Sequence, residues 1–247
     1  MSETKIVYGF HAVTSRLRQH AGTVKEIYLD QSRADRRAKD LAQAAQARGV
    51  RVMLVDGARL DGITRHARHQ GVAASVEPVQ LARDLDEILD TLAEPALLLI
   101  LDGITDPHNL GACLRVADAM GVHAVVVPKD RAAGITPVVE KVASGAAETV
   151  PFIAVTNLAR ALRELKERGV WLIGADQAAE RDLYAIKLDA PLAWVLGAEG
   201  EGMRRLTREN CDELARIPML GAVESLNVSV SAGICLAETR RQRRPVK

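Results

Sequence analysis

Three stretches of this 247-residue chain carry residue types that could do chemistry. The first runs from Asp102 to Arg115 and contains Asp106, Pro107, His108, Asn109 and Arg115. Asp106 and Asn109 are both candidate helix caps, because a short polar side chain can accept from the free N–H groups of a first turn. Arg115 follows Asn109 by six residues. It reads either as an ordinary surface cation or as a functional side chain about one and a half turns into the helix. The second stretch is Gly197-Ala198-Glu199-Gly200-Glu201-Gly202-Met203. Its three glycines let a backbone come close to a ligand, and Glu199 and Glu201 are potential acid–base groups. It matches neither G-x-G-x-x-G nor G-x-x-x-x-G-K-[ST], so the usual dinucleotide and P-loop fingerprints are missing. The third stretch is Ser225-Leu226-Asn227-Val228-Ser229, leading into Val230-Ser231-Ala232-Gly233. Ser225 reads as the cap of a helix starting near Leu226, with Leu226, Val230 and Ile234 as its buried stripe. The small residues of that helix permit close packing or a subunit contact. Asn227 beside the stripe is an amide that needs partners. The G-x-S-x-G elbow of serine hydrolases is absent.

The elements around these stretches place them at strand ends. Apolar runs at 96–101, 123–127, 150–155, 170–174 and 192–196, with a short one at 215–217, read as strands. Patterns at 110–120, 136–143, 158–168 and 203–210 read as helices between them. Continuous apolar strands alternating with helices predict a parallel sheet covered on both faces. In such sheets ligands bind beyond the carboxyl ends of the strands, where all three stretches fall. Upstream, helices at 9–19 and 33–48 alternate with strands at 24–29, 51–55 and 72–76, which predicts a second, smaller α/β unit. Leu81, Leu85, Ile88, Leu89 and Leu92 recur at helical spacing in between.

Charge divides the chain in the same way. Residues 1–77 hold 13 Lys+Arg against 8 Asp+Glu, residues 78–94 hold 1 against 5, and residues 95–247 hold 19 of each. This predicts a basic domain at 1–77, an acidic linker at 78–94 and a neutral domain at 95–247. A basic face suits a phosphate-bearing partner, and Arg36, Arg37, Arg65 and Arg68 are candidates to contact it. Aromatics are only 3% of residues, which argues against a base-stacking platform rich in rings. No apolar run reaches the roughly 18 residues that a membrane span needs, and the first residues lack a signal peptide's apolar core. The reading is therefore a cytoplasmic protein. Cys113, Cys211 and Cys235 form no C-x-x-C pair, so neither a disulfide framework nor a metal site is predicted.

Asn109-Leu110-Gly111-Ala112-x-x-Arg115, Gly197-Ala198-Glu199-Gly200-x-Gly202 and Ser225-Leu226-Asn227-Val228-Ser229 resemble the three motifs of the SpoU-type (SPOUT) RNA ribose 2′-O-methyltransferases. They stand in that family's order. The N-terminal Tyr8-Gly9-x-His11-Ala12-Val13 and its surroundings are similar to the family's ribosomal-protein L30-like RNA-binding domain. The wording around Asp102–His108 and Gly200–Leu206 is nearest to members that methylate guanosine in 23S rRNA.

That resemblance implies a C-terminal parallel-sheet α/β domain tied in a trefoil knot, working as a homodimer with the active site close to the subunit interface. It implies S-adenosyl-L-methionine as methyl donor, held by loops around Gly197, Ile217 and Leu226, and no metal. It implies catalytic roles for Asn109, Arg115, Glu199, Ser225 and Asn227, and 23S rRNA as substrate. A ribose hydroxyl is a poor nucleophile until its proton is removed or polarised. Arginine is an awkward base, because its pKa exceeds ~12. The preferred role for Arg115 is therefore to clamp phosphate and orient the hydroxyl, with a phosphate oxygen or Glu199 taking the proton. Two other readings stay open: the same chemistry on tRNA or another rRNA site, and a catalytically silent RNA-binding assembly factor.

Overall fold

A computed structural model gives the architecture and describes residues 4–77, 81 and 84–243. The chain forms two compact units, residues 1–80 and 81–247.

In the first unit, β1 (Lys5–Tyr8), α1 (Phe10–Gln19), β2 (Val24–Asp30), α2 (Arg36–Gln46), β3 (Arg51–Val55), α3 (Gly57–Thr64) and β4 (Val72–Val76) follow in order. The sheet order is β1-β4-β2-β3, with β2 and β3 parallel and both contacts of β4 antiparallel. Phe10, Val13, Leu17, Ile27 and Leu41 fill one face, and Leu60 packs with Val55 and Ala73 on the other. Asp35 accepts the Ala38 N–H and starts α2 three residues later than the sequence pattern suggests. β1 and α3 were not legible in the pattern: β1 is only four residues long, and Gly57 and Gly62 break the period of α3. Asp56 supplies what α3 lacks, accepting the Arg59 N–H at 2.8 Å.

The second unit comprises α4 (Leu85–Thr91), β5 (Leu97–Asp102), α5 (Pro107–Ala119), β6 (Ala124–Pro128), α6 (Pro137–Ala143), β7 (Phe152–Val155), α7 (Leu158–Glu167), β8 (Trp171–Ala175), β9 (Arg181–Asp182), β10 (Leu192–Gly197), α8 (Arg205–Asn210), β11 (Glu213–Arg216) and α9 (Val228–Arg243). Its strands form one sheet in the order β7-β6-β5-β10-β8-β11-β9, with all pairings parallel. Every residue of β5 is buried. Leu97, Leu99 and Leu101 point to one face, where α5 and α9 pack. Leu98 and Ile100 point to the other, where Ile88 of α4 and Leu162 of α7 pack. This two-sided burial is the physical basis of the unbroken apolar runs.

α5 and α9 run side by side and parallel. Asn109 bonds Asn227 at their starts, and Arg240 Nε donates to the Met120 carbonyl at their ends. Gly111 makes the α5–α6 approach possible, since an added Cβ would lie 2.7 Å from Val142 Cβ. Trp194, fully buried, donates its indole N–H to Thr239 Oγ1 at 2.9 Å and so ties β10 to α9.

Two readings of this helix are corrected. Asn227, not Ser225, caps it: Asn227 Oδ1 accepts from Ser229 N at 2.9 Å. The helix therefore starts at Val228, and the buried stripe is Val228, Ala232, Cys235, Leu236 and Thr239, with Val230 48% exposed. The Arg-rich end of the helix is held as well. Arg243 donates to the carbonyls of Pro95, Ala96, Leu188 and Ala190, and so ties the end of α9 to the segments that enter β5 and β10. Arg244 and Lys247 lie outside the described residues, as does part of the 78–94 segment.

Candidate active site

Three segments meet at the carboxyl end of the sheet, and Asn227 joins them. Its Nδ2 donates to Asn109 Oδ1 at 2.8 Å and to Glu199 Oε1 at 2.6 Å. Its Oδ1 accepts from both the N–H and the hydroxyl of Ser229. Glu199 Oε1 also receives the Val228 N–H at 3.3 Å, so the carboxylate sits at the start of α9, where the helix dipole favours negative charge. One amide thus caps α9, orients Glu199 and holds the first turn of α5. An isolated glutamate on a loop is free to rotate, whereas this one has its Oε1 fixed.

The glycine loop that carries Glu199 is itself tightly constrained. Ala198 and Gly202 exchange backbone hydrogen bonds at 3.2 and 2.8 Å. Gly200 and Gly202 adopt φ of +80° and +69°, which side chains rarely tolerate. A Cβ on Gly197 would lie 2.0 Å from the Gly202 carbonyl carbon, so only glycine closes this turn. The loop returns to the sheet through Asp102, whose buried carboxylate accepts from Arg204 N at 2.8 Å, Nε at 2.6 Å and Nη2 at 2.5 Å. The sequence pattern gave no sign of this clamp, because the two residues are 102 positions apart.

Two cavities share the loop as a wall. The first, of about 480 Å³, is lined by Gly197, Glu199, Ile217, Ser225 and Leu226 among others, and lies over β8, β10 and β11. Leu196, Met203, Ala215 and Val228 give it an apolar floor. On its rim, burial works to raise the Asp176 carboxyl, but the Arg208 hydrogen bond, the Ala178 N–H and the Arg208 charge overcome it and leave it below its ordinary value. The second cavity, of about 520 Å³, is lined by Asn109, Glu199, Asp102, Thr105, Asp106 and Arg131, among others. Glu199 borders both, so a group in one cavity and a group in the other meet across a single carboxylate. Volumes of this size suit small organic ligands or a nucleotide. Asp106 caps α5 through the His108 N–H at 2.9 Å.

Arg115 stands apart from this node. Its side chain is exposed on α5 and makes no hydrogen bond or ion pair among the described residues. Cys113, Cys211 and Cys235 are free thiols, each pushed up to about 12 chiefly by burial, so none is a nucleophile. No group of three or more His, Cys, Asp or Glu among the described residues could hold a metal. No described helix is long and apolar enough to cross a membrane.

Residues 96–237 match the SpoU rRNA methylase family, and residues 6–82 match the RNA 2′-O ribose methyltransferase substrate-binding domain. The chain belongs to the SpoU methylase family. It is 62% identical to the 23S rRNA (guanosine-2′-O-)-methyltransferase RlmB of Ralstonia nicotianae over 98% of both chains. It is 61% identical to the enzyme of that name from Nitrosomonas europaea, over 98% of this chain and 93% of the relative. Among solved structures it is similar to an RNA 2′-O ribose methyltransferase, with a TM-score of 0.71 and 27% identity, covering 98% of this chain and 90% of that one. It is also similar to the SpoU methyltransferase AviRb of Streptomyces viridochromogenes, crystallised with AdoMet, with a TM-score of 0.68 and 25% identity over 97% and 90% of the chains.

In this SpoU methylase the substrate-binding domain presents an unusual loop after α3. Arg65, His66 and Gln70 all have positive φ, at 52°, 62° and 57°. Such backbone is held only where its surroundings determine it. His69 does so by accepting from Gly71 N and pairing with Asp61, each at 3.0 Å. Arg33 adds a bond to the Gln70 carbonyl at 2.6 Å while lying over the Phe10 ring. Arg65 and Arg68 are exposed on this loop, and Arg36 and Arg37 are exposed at the start of α2.

Proposed function

We propose that this SpoU methylase transfers the methyl group of S-adenosylmethionine to the ribose 2′-hydroxyl of a guanosine in 23S rRNA. The observation that carries the reading is the Asn109–Asn227–Glu199 node, which stands between two cavities in a chain that is 62% identical over nearly its full length to a relative of that named activity.

The first cavity fits the donor. Its size, its apolar floor and the close backbone approach allowed by Gly197, Gly200 and Gly202 suit an adenosine with a short charged tail. Gly197, Ile217 and Leu226 would hold the adenosine, and Asp176 offers an ionised acceptor for a hydroxyl or an ammonium. When bound, the donor supplies an electrophilic methyl on a sulfonium. The chain's own residues do the rest. The second cavity takes the target nucleotide, and Asn109 and Glu199 meet its ribose from the shared wall. Glu199 is the group placed to accept the hydroxyl proton, because its Oε1 is fixed while the other oxygen makes no hydrogen bond among the described residues. Ser225 closes the donor side. Holding hydroxyl and methyl donor in line supplies much of the rate by orientation alone.

Arg115 grips a phosphate of the RNA from the exposed side of α5. The chain would act as a homodimer, to which the exposed Val230 of α9 offers an apolar contact. The order of strands, in which β10 inserts between β5 and β8 and the chain then returns to Asn227 beside Asn109, supports the trefoil knot. Residues 1–77 serve as the RNA-binding domain, gripping backbone through Arg36, Arg37, Arg65 and Arg68, and residues 95–247 carry the chemistry. Action on rRNA supports a cytoplasmic location for the enzyme.

The test is transfer from labelled S-adenosylmethionine to unmodified 23S rRNA, 16S rRNA and bulk tRNA, with mass spectrometry of the digested nucleosides. Label in 2′-O-methylguanosine from 23S rRNA, lost in Arg115→Ala, is the expected result. Label only in tRNA overturns the substrate, and absence of donor binding overturns the chemistry.

A further inference from the structure

A third cavity, of about 430 Å³, opens at the carboxyl ends of β6 and β7, beside the one proposed for the target nucleotide. Arg204 lines both, and its tether to Asp102 makes it a fixed partition. The segment after β6 straddles the same boundary: Asp130 faces the third cavity, and Arg131 faces the target cavity. Arg131 is exposed, adopts φ of +58°, and makes no side-chain hydrogen bond or ion pair among the described residues. Its backbone is held by its surroundings, since Ala133 N donates to the Ile104 carbonyl at 2.7 Å. A non-glycine residue held in this strained region with a free cation is the kind of feature that clusters at ligand clamps. On the far side of the partition Leu206 is 53% exposed, on the wall of the third cavity beside Thr156 and Asn157.

We infer that the third cavity is the subsite for the nucleotide adjoining the methylated one, and that Arg131 holds the phosphate between them. The inference rests on the reading of the 520 Å³ cavity as the target site. The geometry supports it in three ways. The two cavities lie two strand positions apart along the sheet edge, about 10 Å at the usual spacing, which suits neighbouring nucleotides whose bases are turned out of a stack. Sequence-specific RNA recognition targets such unstacked bases. An exposed leucine with polar neighbours offers a base one apolar face and hydrogen-bonding groups at its edge, and an unpaired arginine on the target cavity, next in sequence to Asp130 on the third, matches a single bridging phosphate. Arg131 is thus a positioning residue. It fixes the register of the strand, and through it the ribose at Glu199.

The experiment uses the full chain, a transcript of 23S rRNA and S-adenosylmethionine. Arg131→Ala should raise the KM for RNA about tenfold, the usual effect of losing one charge-assisted contact. It should leave kcat within about threefold and donor affinity by calorimetry unchanged. Arg131→Lys should recover part of the loss, because a point charge replaces the fork. Leu206→Glu, a change at an exposed position, should raise the RNA KM comparably. A photo-crosslinking residue at position 206 should mark the nucleotide next to the methylated one. If the wild type methylates the transcript while both variants keep its KM, or if the crosslink maps to a distant nucleotide, the subsite is refuted. A wild type that methylates no RNA would instead refute the functional reading on which the subsite rests.

Discussion

Replacing Asn227 separates its two jobs. In Asn227→Ala, α9 loses the cap that Oδ1 gives Ser229, which costs about 0.5–2 kcal/mol. It also loses the bonds to Asn109 and Glu199. Both partners can turn to solvent, so these add less than the roughly 1 kcal/mol of a typical hydrogen bond. The total is about 1–2.5 kcal/mol, or a drop in Tm of about 2–10 °C for a chain of this size. Asn227→Asp keeps the cap, since Asp serves there as well as Asn. It removes the amide donor and sets a second carboxylate against Glu199. At the 2.6 Å of the present contact, two unit charges in water repel by about 1.6 kcal/mol, a factor of more than ten. Asn227→Asp should therefore melt within a few degrees of the wild type yet lose methyl transfer at neutral pH by at least tenfold. Part of the activity should return as the pH falls and one carboxylate takes up a proton. Thermal melts and initial rates of transfer at pH 5.5 to 8 decide the matter. An Asn227→Asp enzyme with wild-type rate at pH 7.5 would show that the node does not orient Glu199, and an Asn227→Ala enzyme with unchanged Tm would show that it does not cap α9.

Gly197→Ala should abolish donor binding in calorimetry and lower Tm, because its Cβ would sit 2.0 Å from the Gly202 backbone and the loop would have to open. Thr239→Val leaves the Trp194 indole N–H buried without a partner. It should cost about 1–3 kcal/mol in denaturant unfolding with transfer kinetics unchanged at 25 °C. His123 accepts the Leu97 N–H on Nδ1 at 3.0 Å and meets Glu94 through Nε2. Burial, ahead of the opposing Glu94 hydrogen bond, holds its pKa below 6.5. The unfolded chain then binds the extra proton, so stability should be full above about pH 6.5 and fall below it, and melts of His123→Gln should flatten this slope. Arg68→Ala should weaken RNA binding without changing donor affinity and reduce the salt slope of binding by about one. An unchanged slope would remove Arg68 from the RNA face.

An α/β pattern in each half of the chain, the parallel sheet and the placing of three polar stretches at strand ends are legible in the amino-acid sequence. These follow from local causes. A strand buried on both faces must be apolar along its length, as Leu97–Leu101 is, and a helix over a sheet must repeat its apolar residues at helical spacing. The glycines at 197, 200 and 202 were legible as a close backbone approach, which the turn at Gly197 requires. Tertiary structure alone decided which atoms meet. Asp102 and Arg204 are 102 residues apart, and Asn109 and Asn227 are 118 apart. No local period registers such pairs, because each depends on β10 inserting beside β5 and on α9 lying parallel to α5. For the same reason Ser225 looked like a cap on local chemistry, while the helix start was fixed two residues later by what Asn227 could reach. Arg131 drew no attention in the chain, since a lone arginine in a loop has no pattern. It stands out only when the fold places it, unpaired, on the wall of a cavity that Glu199 also lines.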